Sequence, residues 1–121
     1  MAESARIGMQ LEDGSIESIA IRQDGCVCHA GYYLSYIYNT SEKILDLLSG
    51  GDIHRILGNG HIVFHMEMTH PDKKYTLKTS KTLSEYVALC KSDQVDFGYL
   101  FTLDNKWMIV TGLCIGALNK K

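Results

Sequence analysis

Ile7, Met9 and Leu11 alternate with Arg6, Gly8, Gln10 and Glu12, the period-2 signature of a half-buried strand. The stretch "EDGS" that follows reads as a two-residue hairpin turn, and "SIESIAIR" returns as a second strand. That strand places Ile16 on one parity and Ile19 and Ile21 on the other, which requires either a bulge between them or cover on both faces. Asp24-Gly25 ends it.

The next segment, "HAGYYLSYIYNT", satisfies both the helical and the strand template because aromatic side chains suit either; a helix is the expectation here. A clearer helix follows. Asn39 or Thr40 caps it, Glu42 stands three after Asn39 as in a capping box, and Ile44, Leu45, Leu47 and Leu48 make one apolar face. Gly50-Gly51 closes it in a left-handed cap. Asp52 is then placed to cap one further helical turn, "IHRIL", before "GNG" breaks the chain.

In "HIVFHMEMTH", Ile62, Phe64, Met66 and Met68 share one parity and His61, Val63, His65 and Glu67 the other, so a strand is expected with the first set facing the core. "HPDKK" turns at Pro71, and "YTLKTS" returns with Tyr75 and Leu77 inward, completing a hairpin. A third helix begins at Thr82 with Glu85 at the capping-box position and Leu83, Tyr86, Val87 and Cys90 on one face. Two closing strands, "DFGYLFT" and "KWMIVT", flank "LDN" and align Phe97, Tyr99 and Phe101. The order ββααββαββ predicts one α+β domain over residues 1–121: an antiparallel sheet of about six strands in hairpins, two to three helices, and an apolar C-terminal extension from about residue 112.

Composition agrees with a self-folding domain: of 121 residues, 45% are hydrophobic, 21% are charged and a single one is proline. Twelve basic residues are interspersed with 14 acidic ones for a net charge of −2, so direct nucleic-acid binding by bulk electrostatics is not expected. "MAESARIGMQ" has no apolar stretch of the signal-peptide kind, and "MIVTGLCIGAL" is too short to span a bilayer; the expectation is a cytosolic protein with no membrane partner. Cys26, Cys28, Cys90 and Cys114 would there be reduced, and Cys26-x-Cys28-His29 lacks the spacing and second pair of a zinc finger. Leu113, Cys114, Ile115, Ala117 and Leu118 form an apolar ending that points to burial in a second copy, as a homodimer.

Candidate chemistry is sparse. His61 and His65 would lie about 13 Å apart along a strand, and His65 and Glu67 about 7 Å. Only the second pair could share an ion without a bend, so His61, His65 and Glu67 are weak metal candidates and the face reads as the wet side of a sheet. There is no nucleophile elbow, phosphate loop, dinucleotide fingerprint or zincin motif, and no cofactor is expected. Tyr32, Tyr33, Tyr36 and Tyr38 cannot all be buried on one helical face, so some should present ring and hydroxyl to solvent, as binding surfaces do. With His54 and Arg55 as a local source of positive charge, Tyr32, Tyr33 and Tyr36 form the expected binding surface.

The pattern from Ser15 to Ile53 resembles the opening of a widespread family of small uncharacterised phage and prophage proteins: a strand, an Asp-Gly turn, a Tyr-Asn helix, then a Glu-Lys helix closed by Gly-Asp. The matching positions are Asp24, Gly25, Gly31, Tyr38, Asn39, Glu42, Lys43, Leu47, Gly51, Asp52 and Ile53. The central hairpin, "TLSEYV" and "FGYLFTLDNKW" extend the likeness over most of the chain. The family often carries an aromatic-proline pair where this chain has Cys26-Val27. The resemblance implies a phage-encoded accessory protein and carries over no catalytic residue. By analogy such a protein acts by stoichiometric binding to a host protein or a small nucleotide ligand, antagonising an antiviral defence such as a CRISPR effector or a nucleotide signal. The alternatives are a metal-dependent hydrolase using His65 and Glu67 with His61 or His70, and a structural or assembly protein.

Overall fold

The computed structural model describes residues 4–23, 25–57, 62–64, 77–111 and 116–117. Strands β1 (Ala5–Gln10) and β2 (Ile16–Ile21) pair antiparallel without a slip, from Ala5 opposite Ile21 to Gln10 opposite Ile16. A π-helical turn (Val27–Gly31) runs into α1 (Tyr32–Tyr36), followed by α2 (Ser41–Ser49). Next come β3 (Ile53–Ile56), β4 (Ile62–Phe64) and β5 (Lys78–Ser80), then α3 (Leu83–Ser92), β6 (Phe97–Phe101), β7 (Trp107–Thr111) and β8 (Gly116–Ala117). The described strands form one sheet in the order β4-β3-β2-β1-β6-β7-β8, with β5 beside β2.

The α+β class holds, and so do the first and last hairpins. Two neighbours are parallel: β1 with β6, and β2 with β3 at Ile21 opposite Ile53. The helical turn expected after Asp52 is strand β3. Its Ile53 and Ile56 are both buried, and their three-residue spacing imitates a helix because a β-bulge between Ile53 and Arg55 turns both isoleucines to one side. Residues 78–80 bond to β2, while 62–64 bond to β3. The rest of the expected central hairpin lies outside the described residues.

β2 answers the question its isoleucines raised: both faces are covered. Ile19 and Ile21 join Ile7, Tyr99 and Trp107 in the main core under α1 and α2, where Leu34, Ile44, Leu47 and Leu48 pack down. Ile16 packs on the opposite side with Leu100 and with Tyr86 and Cys90 of α3. β1 is therefore not half-buried. Its polar parity faces α3, and Arg6 is only 2% exposed. The buried guanidinium is held by the Ser18 Oγ at 3.1 Å, the Ser18 carbonyl at 3.2 Å and the Asp93 carboxylate at 2.7 Å, which is the pairing a buried charge requires.

Helix ends follow the expected chemistry. The Thr40 and Thr82 hydroxyls accept from the backbone N–H of Lys43 and Glu85. Gly51 has φ +79° after α2, a conformation glycine adopts without penalty. Asp52, directly after it, reaches into the fork where β2 passes from β5 to β3. Its carboxylate accepts from the Ala20 N–H at 2.8 Å and from the Arg22 guanidinium at 3.0 Å, supplying an acceptor where neither strand reaches.

Gly8 lets α3 approach the sheet. A Cβ there would stand 2.9 Å from Tyr86 Cζ and 3.0 Å from Ile16 Cγ2, and the tyrosine cannot swing aside because its hydroxyl donates to the Tyr99 carbonyl at 2.6 Å. Burial pushes the Tyr86 hydroxyl well above its ordinary range and the Cys90 thiol up to about 11, so both stay protonated and packed at neutral pH. Gly8→Val should cost about 1–3 kcal/mol by overpacking, read as a lower urea midpoint at unchanged slope. An unchanged midpoint would show that α3 is free to move outward.

Candidate functional site

The tyrosine segment is held to the sheet by its backbone. Gly25 lies so close to β1 that a Cβ would stand 2.9 Å from the Ser4 carbonyl carbon, and the Tyr99 hydroxyl donates to the Gly25 carbonyl at 2.7 Å. At the far end the Trp107 indole N–H donates to the Tyr38 carbonyl at 2.8 Å. Between them His29 Nε2 meets the Ile56 carbonyl at 2.7 Å. A carbonyl only accepts, so Nε2 carries the proton.

Within this frame the Gly31 N–H bonds to the Cys26 carbonyl at 3.2 Å, the five-residue step of a π-turn, a feature often found at functional sites. Ala30 and Leu34 are buried, and that face sets the direction of the tyrosines. Tyr33 and Tyr38 pack half-buried against the core, and burial, followed by the Asp46 carboxylate, raises the Tyr38 hydroxyl above its ordinary value. Tyr32 and Tyr36 point outward, 52% and 61% exposed, with Ile37 beside them at 42%. Their rings contact each other at 4.9 Å between centroids, and Tyr32 meets Tyr33 edge-on at 5.2 Å. Tyr33 in turn meets His29 edge-on at 5.3 Å. The outward tyrosines are thus seated on an aromatic row that leads back to the sheet.

The expected surface divides. Tyr32 and Tyr36 are exposed together, whereas Tyr33 supports them from below. His54 is half-buried on β3, its carbonyl taken by the Gln23 N–H at 3.1 Å, and Arg55 pairs with Val63 across the bulge. Both sit on a strand rather than on the turn expected for them, and the bond joining the tyrosine segment to β3 falls at Ile56. His61, His65, Glu67 and His70 lie outside the described residues. Among the described residues, no group of three or more His, Cys, Asp or Glu could hold a metal ion, and no helix is long and apolar enough to cross a membrane.

The composition of the segment also marks the site. From Gly25 to Thr40 the sequence holds no Asp, Glu, Lys or Arg, and depletion of charge with enrichment of tyrosine is the compositional mark of an interface core. Apart from this surface, a groove of about 390 Å3 opens at the ends of β1 and β6 between Leu45 and Leu103. Its Gln10 carboxamide already accepts from the Leu103 N–H at 3.2 Å.

Comparison of the chain with family models, with curated proteins and with solved structures returned no match.

Proposed function

We propose that the protein acts by stoichiometric binding rather than catalysis, gripping a protein partner with the exposed face of α1. The observation that carries this reading is the pair Tyr32 and Tyr36, each more than half exposed and in ring contact, on a segment without formal charge. Tyrosine supplies a large amphipathic contact area at low entropic cost, and a charge-free surface suits a protein better than a nucleotide, whose phosphates need cations. The nearby Arg22 guanidinium is paired with Asp52.

The resemblance to phage accessory proteins supports a host protein in the cytosol as the partner, with an antiviral defence component such as a CRISPR effector the first to test. A homodimer belongs to the same reading. The apolar ending supports it, together with β8 at the end of the sheet order, since an edge strand offers backbone groups to a second copy.

The test is affinity capture from host lysate with the intact chain and with Tyr32→Ala and Tyr36→Ala, separately and together. Each variant should keep its circular dichroism spectrum, and the double variant should weaken capture of a stoichiometric partner at least tenfold, as loss of interface aromatics does. Retention within twofold by the folded double variant would refute the surface. Light scattering should give twice the 13.6 kDa chain mass; the single-chain mass at micromolar concentration would refute the dimer.

A further inference from the structure

We propose that Cys26 and Cys28 form a reversible dithiol–disulfide pair that exchanges with small-molecule disulfides of the glutathione class. Neither is held in a disulfide, and their sulfurs lie 2.8 Å apart at the start of the π-turn. A disulfide bond is about 2.05 Å long, so closure asks for a movement of under about 1 Å. Two steps of chain span about 7 Å at most, and the turn that begins at Val27 keeps the residues within that reach.

Exposure assigns the order of events. Cys28 is exposed, while Cys26 is half-buried against the core. The Cys28 thiol loses its proton and its sulfur attacks one sulfur of oxidised glutathione. A Cys28–glutathione bond forms, the glutathione S–S bond breaks, and one glutathione leaves as a thiolate that takes up a proton. Cys26, already in contact, loses its proton and attacks Cys28 Sγ. The Cys26–Cys28 bond forms as the second glutathione departs and is protonated. The two protein thiols have given up two electrons, and one glutathione disulfide has become two thiols. Exchange runs backward when reduced glutathione dominates.

Other features of the molecule favour this chemistry over its competitors. Cys90 is fully buried with its thiol pushed up to about 11, the environment of an inert cysteine, so it serves as an internal reference. A bound metal would want at least a third ligand, and among the described residues no group of three or more His, Cys, Asp or Glu could hold one.

The experiment exposes the full chain to graded ratios of oxidised to reduced glutathione, quenches in acid, alkylates the remaining thiols and weighs the tryptic peptides. Residues 23–43 carry both cysteines on one peptide. That peptide should lose the mass of two hydrogens and escape alkylation, and dithiothreitol should restore it, while Cys90 alkylates only on denaturation. Cys26→Ser should trap glutathione on Cys28, and Cys28→Ser, at an exposed position, should abolish the internal disulfide. Alkylation of both thiols at every ratio would overturn the proposal. So would glutathione retained on either residue of the unaltered chain, or a cross-link from this peptide to the one bearing Cys114.

Discussion

The structure around the candidate surface depends on aromatic donors that bind backbone carbonyls. The Tyr99 hydroxyl takes the Gly25 carbonyl and the Trp107 indole takes the Tyr38 carbonyl, so β6 and β7 hold both ends of the segment that carries α1. His29 ties its middle to β3. A neutral bond of this kind contributes about 1 kcal/mol, while a buried carbonyl left without a donor costs about 1–3 kcal/mol. Residues whose rings build the core thus fix a short helix, five residues long, that would not persist alone in water.

The same arrangement explains what the surface can offer a partner. Leu34 and Ala30 face the core, which leaves Tyr32 and Tyr36 no inward position, and their rings brace each other and Tyr33. Contact area that is already ordered loses little entropy on binding. The thiol pair sits at the base of this element, with the Cys26 carbonyl accepting from both His29 and Gly31 N–H. A change in the state of Cys26 and Cys28 would therefore act on the turn from which α1 springs.

Much of the fold was legible in residue pattern because local chemistry decided it. The parity of Ile7 and Met9, the aligned Phe97, Tyr99 and Phe101, and the Thr40 and Thr82 caps all need only neighbours in sequence. Arg6 was not legible: a charged residue on a strand's polar parity reads as solvent-facing, and only the return of α3 buries it and brings Asp93 to it. β3 was hidden for a different reason, since a bulge gave Ile53 and Ile56 a helical spacing. Parallel pairing of β1 with β6 joins residues some ninety positions apart, beyond the reach of local periodicity. At the site, the tyrosine helix and its mixed exposure could be anticipated. The division of roles between Tyr33 and its neighbours could not, because it depends on which side of a π-turn meets the core.

Amide hydrogen exchange on the intact chain and on Tyr99→Phe tests most directly whether the sheet holds the tyrosine segment through these donors. Loss of one hydroxyl should lower protection at the Gly31 and Ile37 amides by about fivefold, the equivalent of about 1 kcal/mol. The β1 and β2 amides should keep theirs. Equal loss at every amide, or none at Gly31 and Ile37, would contradict the account.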